Sequence, residues 1–157
     1  MNTISPRHLG ALAGAGSAFL LLAALAFQAA GYAPCELCIL QRWPHVLAAA
    51  LGLVAWLTHG ARAVLWLGAL AALVAMGFAA YHAGVEYGFW PGPTACTSTG
   101  GIGALSTADL LAQIESTTRV VRCDEPALVI LGVSMAGMNA LASLVLTGIW
   151  TAAARRA

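Results

Sequence analysis

The chain has 157 residues, of which 61% are hydrophobic and only 8% charged, with no lysine and a formal net charge of +1. A soluble globular chain carries about 25% charged residues, so this one lacks the polar surface to dissolve as a globule. Its seven scattered arginines form no concentrated basic face, which excludes a nucleic-acid partner.

A helix crossing the bilayer core needs about 20 mostly apolar residues. The first such run is Leu9 to Ala30. Its apolar stretch exceeds the about 7–15 residues of a signal-peptide core, so it reads as a retained span. Gly10 and Gly14 form a small-xxx-small pair suited to helix packing.

A short segment, Gly31 to Glu36, leads to the stretch APCELCILQRWPH at residues 33–45. The second span is Leu37 to Leu57, with a bend expected near Pro44 because proline removes a helix hydrogen bond. A tight turn from His59 to Arg62 leads to the third span, Ala63 to Tyr81.

A long segment, His82 to Pro126, follows. Gly88, Pro91, Gly92 and Pro93 argue against regular structure before Cys96. Beyond them, Ser106 and Asp109 form an S-x-x-D helix start, and Leu110, Leu111 and Ile114 give a short apolar side. That pattern predicts a short amphipathic helix on the membrane surface. The fourth span is Ala127 to Trp150, where Ser134, Gly137, Asn139 and Ser143 can line a helix contact.

The predicted fold is therefore all-α, a single four-helix membrane bundle over residues 1–157. No run of short alternating strands suggests a barrel. Arg7, Arg62, Arg155 and Arg156 flank the spans on one side and assign it, with both termini, to the cytoplasm. The segments 31–36 and 82–126 then face outward, and every cysteine, Cys35, Cys38, Cys96 and Cys123, sits in them or at their edge. Arg42, Arg119 and Arg122 lie on the outer side against this rule. Acidic neighbours offset the last two, whereas Arg42 needs a reason of its own.

The Cys35-x-x-Cys38 pair admits three readings. Structural zinc usually takes two knuckles of cysteine or histidine, and Cys96 and Cys123 are isolated, so no metal is expected. A structural staple closing so small a loop would remove little unfolded-state entropy. A redox pair uses the short spacing to open and close without unfolding. Cys38 lies near a helix start, where the helix dipole favours the thiolate. Arg42 is one turn on, on the same face, where its permanent charge adds to that effect. Cys96 and Cys123 flank the predicted loop helix, and a bond between them would lie open to an incoming thiolate.

Four spans, C-E-L-C-I-L-Q-R at Cys35 to Arg42, W-P-G-P-T-A-C ending at Cys96 and C-D-E-P from Cys123 together resemble the DsbB family of bacterial membrane proteins. The resemblance covers nearly the whole chain. It implies a multi-pass protein of the bacterial inner membrane, with its cysteine loops in the periplasm. Such a protein reoxidises a DsbA-like periplasmic thiol oxidase and passes the electrons to a membrane quinone, ubiquinone or menaquinone. By this resemblance Cys96 takes the mixed disulfide with the partner, and Cys123 is released to attack Cys35. Cys38 then acts on the quinone ring as a thiolate, with Arg42 binding and polarising the quinone and His82 standing on the quinone side. The chain departs from the family in Gln41, where an acidic residue is frequent, and Glu36 adds a negative charge inside the motif.

Two other readings compete. A reductase of the vitamin K epoxide type also joins a membrane bundle, a Cys-x-x-Cys and a quinone, but with its cysteine pairs in the reverse order. A non-enzymatic membrane scaffold would carry the same cysteines as two staples.

Overall fold

The computed structural model describes residues 4–93 and 121–157. Cys96 and the loop helix expected from Ser106 onward lie outside the described residues. The elements run α1 (Pro6–Ala29), α2 (Glu36–Leu57), α3 (Arg62–Glu86), β1 (Val129–Ile130), β2 (Val133–Ser134) and α4 (Met135–Arg156). All four helices are long and apolar enough to cross a membrane.

Each helix starts for a local reason. Pro6 occupies the first turn of α1, where its missing N–H costs nothing. Cys35 caps α2, its sulfur accepting the Cys38 N–H at 3.2 Å. Ser134 caps α4, its hydroxyl oxygen accepting the Gly137 N–H at 3.1 Å. Pro44 lies inside α2, which continues through it.

The helices form a ring in which α1 packs on α2, α2 on α3, α3 on α4 and α4 back on α1, while α1 and α3 barely meet. The interior is built from small side chains. A Cβ placed on Gly14 would lie 2.5 Å from the Gly52 Cα, so α1 and α2 cross backbone to backbone. One on Gly68 would lie 2.5 Å from the Trp150 ring. Trp150 fills the centre with Leu65, Ala69, Ala72 and Ala153. Large residues such as Phe19, Leu22, Leu47, Leu53, Leu70, Leu141 and Val145 point outward. This inversion suits lipid, where close contact between small residues rather than escape from water holds helices together.

The start of α1 meets the end of α2 and the turn that follows it. The Arg7 Nη1 donates to His59 Nδ1 at 3.3 Å, and the guanidinium lies 4.9 Å from the centre of the Trp56 ring. His59 (φ 55°) and Gly60 (φ 87°) make the sharp turn into α3.

Two boundaries differ from the apolar runs. The α3 helix continues past Tyr81 to Glu86, which brings His82 into the helix. The α4 helix begins at Met135 rather than Ala127 and runs on to Arg156. The intervening residues turn back on themselves. Val129 pairs with Ser134 and Ile130 with Val133, across a turn in which Leu131 (φ 51°) and Gly132 (φ 81°) are left-handed. The Tyr87 hydroxyl donates to the Gly132 carbonyl and accepts the Ser134 N–H, both at 3.0 Å. This hairpin is the one pair of strands among the described residues, and hydropathy alone cannot separate it from the span it precedes.

Candidate functional site

At the end of the bundle opposite the arginine cluster, α2 presents Cys35, Cys38, Gln41, Arg42 and His45 over its first turns. Offsets of 3, 4 and 7 from Cys38 lie on one helix face. The Cys35 and Cys38 sulfurs are 2.8 Å apart, and Cys35 Sγ is 3.6 Å from His82 Nε2 on α3. The chain returning from the long loop delivers Cys123, which is 1% exposed and packs with Cys35, Leu37 and Val85. His82 also bonds to the Cys123 backbone. Five of the six residues singled out in the sequence, Cys35, Cys38, Arg42, His82 and Cys123, therefore meet around one cavity or its wall. The sixth, Cys96, lies outside the described residues.

The sulfur that directly receives the helix-start N–H is that of Cys35, not Cys38, because Cys35 is the cap and Cys38 already lies within the first turn. The adjacent Cys38 sulfur, reinforced by burial, nonetheless holds the Cys35 thiol far above the ordinary thiol range. When the reduced pair loses its first proton, the remaining proton therefore stays on Cys35. That leaves Cys38 as the sulfur able to act as a nucleophile.

A cavity of ≈ 360 Å³ opens beside the pair, between α1, α2 and α4. Leu20, Ala24 and Phe27 of α1 and Met138 and Ala142 of α4 make its apolar walls, and Cys38, Arg42, His45 and Asn139 supply polar groups. Its size lies in the about 300–1,000 Å³ range of small-molecule sites. The Arg42 Nη1 donates to Gln28 Oε1 at 2.7 Å, which fixes the guanidinium against α1, and its buried Nε has no partner in the described structure. A buried donor without an acceptor is costly, so this corner suits a ligand carrying a carbonyl oxygen. The apolar walls and the guanidinium together suit an apolar ligand with an oxygen acceptor.

The Cys35 and Cys38 sulfurs and His82 Nε2 all lie within 4.8 Å of one another, close enough for a metal ion to be considered. Two thiolates on one tetrahedral zinc stand about 3.8 Å apart, given Zn–S bonds of about 2.3 Å. The observed 2.8 Å is about 1 Å shorter than such a pair would take.

Several residues at the site were not picked out as functional in the sequence. Glu86 is buried at the end of α3, with Oε1 3.8 Å from His82 Nε2 and Oε2 without a partner among the described residues. Gln41 stood out only as a departure from the family, and Asn139 only as a packing residue. His45 was not singled out, although its spacing from Cys38 and Gln41 placed it on the same face. On the loop side, Arg122 donates to both Asp124 carboxylate oxygens at 3.0 and 2.6 Å and lies 3.4 Å from Glu125, flanking Cys123. The guanidinium holds the Asp124 carboxyl below its usual range.

No curated protein and no solved structure matches the chain. The family model of disulfide bond formation protein DsbB matches residues 6–153, which takes in every cysteine, the first three helices and all but the last turn of α4. The chain is a member of the DsbB family, a membrane protein whose family role is disulfide bond formation.

Proposed function

We propose that this protein reoxidises a DsbA-like periplasmic thiol oxidase and passes the electrons to ubiquinone or menaquinone. The observation that carries this reading is the packing of Cys123 against the Cys35–Cys38 pair at the edge of a cavity holding an unpartnered guanidinium N–H. A dithiol on the partner protein attacks a Cys96–Cys123 disulfide at Cys96 and leaves oxidised, releasing the Cys123 thiolate. Cys123 attacks Cys35, the Cys35–Cys38 bond breaks, and Cys38 departs as a thiolate beside Arg42. A quinone in the cavity supplies the acceptor for two electrons and two protons.

The residues around that acceptor each have a task. Arg42, on the cavity wall, would hold a ring oxygen of the quinone and would favour negative charge there. His82 stands at the sulfur pair, and the apolar walls take the tail and keep water out. The segments carrying the cysteines face the periplasm of a bacterial inner membrane, and both termini face the cytoplasm.

The test uses purified protein in lipid nanodiscs, supplied with a reduced thiol oxidase and a short-chain ubiquinone or menaquinone. Loss of quinone absorbance should depend on the thiol oxidase and stop in Cys38→Ala and in Cys96→Ala. Unchanged quinone reduction in both variants, or none in the wild type, would overturn the reading. Inertness of the wild type would favour a stapled scaffold.

A further inference from the structure

Polar side chains buried between α2, α3 and α4 form a continuous run whose donors and acceptors can be assigned without ambiguity. The assignment begins at the Leu37 carbonyl, which only accepts. Gln41 meets it at 3.3 Å, so the nearer atom of the Gln41 amide must be nitrogen. The same NH₂ group lies 2.6 Å from His82 Nδ1. That ring nitrogen must then accept, which leaves the His82 proton on Nε2.

The other end of the run agrees. The Gln41 oxygen accepts from the Asn139 NH₂ at 2.8 Å. The Asn139 oxygen is then turned toward His45 Nε2 at 3.0 Å and the Ser143 hydroxyl at 3.4 Å, both of which donate. Reversing Gln41 would set oxygen against oxygen at Leu37 and nitrogen against nitrogen at Asn139, and reversing Asn139 would set its oxygen against that of Gln41. Gln41, His82 and His45 are buried, so each mismatch would be costly.

We propose that Gln41 is a positioning residue, held in one orientation by Leu37 and Asn139, that keeps His82 as the Nε2–H tautomer with this donor aimed at the Cys35 sulfur. Nε2 lies 3.6 Å from Cys35 Sγ and 3.8 Å from Glu86 Oε1, and the Cys123 backbone also bonds to this ring. Its use in catalysis rests on the disulfide relay proposed above. When Cys96 attacks Cys123 in a Cys35–Cys123 disulfide, that bond breaks, a Cys96–Cys123 bond forms, and Cys35 leaves with the electron pair as a thiolate. The His82 Nε2–H and the Cys38 N–H at 3.2 Å both point to that sulfur. The same tautomer denies a thiophilic metal the lone pair it would need on Nε2.

The experiment places ¹⁵N-histidine protein in nanodiscs and reads the two-bond proton–nitrogen correlations of His82, identified by their loss in His82→Gln. The wild type should show the Nε2–H pattern. In Gln41→Glu the carboxylate can only accept, so the proton should move to Nδ1, and quinone reduction should slow by about tenfold, the low end for loss of an orienting partner. The uncharged Gln41→Met leaves Nδ1 without a donor and should give a mixture of tautomers. A wild-type proton on Nδ1, or a pattern unchanged in both variants, would overturn the proposal. Absence of quinone reduction in a wild type that shows the Nε2–H pattern would sink the relay while supporting the tautomer assignment.

Discussion

The two ends of the bundle fill their interiors in opposite ways. Toward the arginine cluster, glycines let backbones touch and Trp150 occupies the remaining space among alanines and leucines. Toward the cysteines the helices part around a cavity of ≈ 360 Å³, and Gln41, Asn139, His45 and His82 bond to one another across the gap. One end is held by shape and the other by directed donors and acceptors. A lipid-spanning protein can leave a ligand-sized space in its core when the rest of the core is closely packed.

The sharpest way to break this contrast is to add bulk where the backbones meet. Gly52→Leu would drive a side chain into Gly14, and the lost α1–α2 crossing should prevent recovery of a folded monomer from detergent. Removing bulk at the same end comes next. Trp150→Ala should cost about 3 kcal/mol, the low end for a buried tryptophan because lipid removes the water-transfer part of the penalty. It should appear as a lower thermal midpoint in nanodiscs. Trp150→Phe should be far milder, since the indole N–H has no partner in the described structure.

At the cavity end added bulk should behave differently. Ala142→Leu fills space on the α4 wall, so stability should stay within about 0.5 kcal/mol of wild type while the KM for quinone rises. A drop in thermal midpoint as large as that of Trp150→Ala would erase the distinction between the two ends.

The smallest effect concerns the ion pair beside Cys123. Arg122 lowers the Asp124 carboxyl below its ordinary value of 3.8, so the stabilisation is complete above that value and fades as pH falls through the lower folded value. Alkylation of Cys123 by a small probe, after reduction, should be insensitive to this pair's titration near neutrality. Arg122→Ala should raise the alkylation rate slightly, since exposed pairs contribute little.

The bundle was legible because four apolar runs of sufficient length have few structural alternatives in lipid. The arginines near the span ends told which of those ends belong together. The start of α4 was not legible, because Leu128 to Val133 is as apolar as the span it precedes. What turns it back is the left-handed pair Leu131–Gly132 and the distant Tyr87 hydroxyl. At the site, Cys35, Cys38 and Arg42 could be read from local spacing. The hydrogen-bonded run could not, because Gln41, His82 and Asn139 are far apart in sequence and acquire their roles only when α2, α3 and α4 pack. A polar residue repeated on one face of an apolar helix, as with Gln41 and His45, was the available clue.

Cys35 both closes the first turn of α2 and offers its sulfur for bonding elsewhere. Whatever that sulfur becomes attached to therefore alters the anchor of the helix itself. Deuterium uptake at the Cys38 amide should accordingly differ between oxidation states, making the opening turn of α2 a built-in reporter of the electron inventory of the protein.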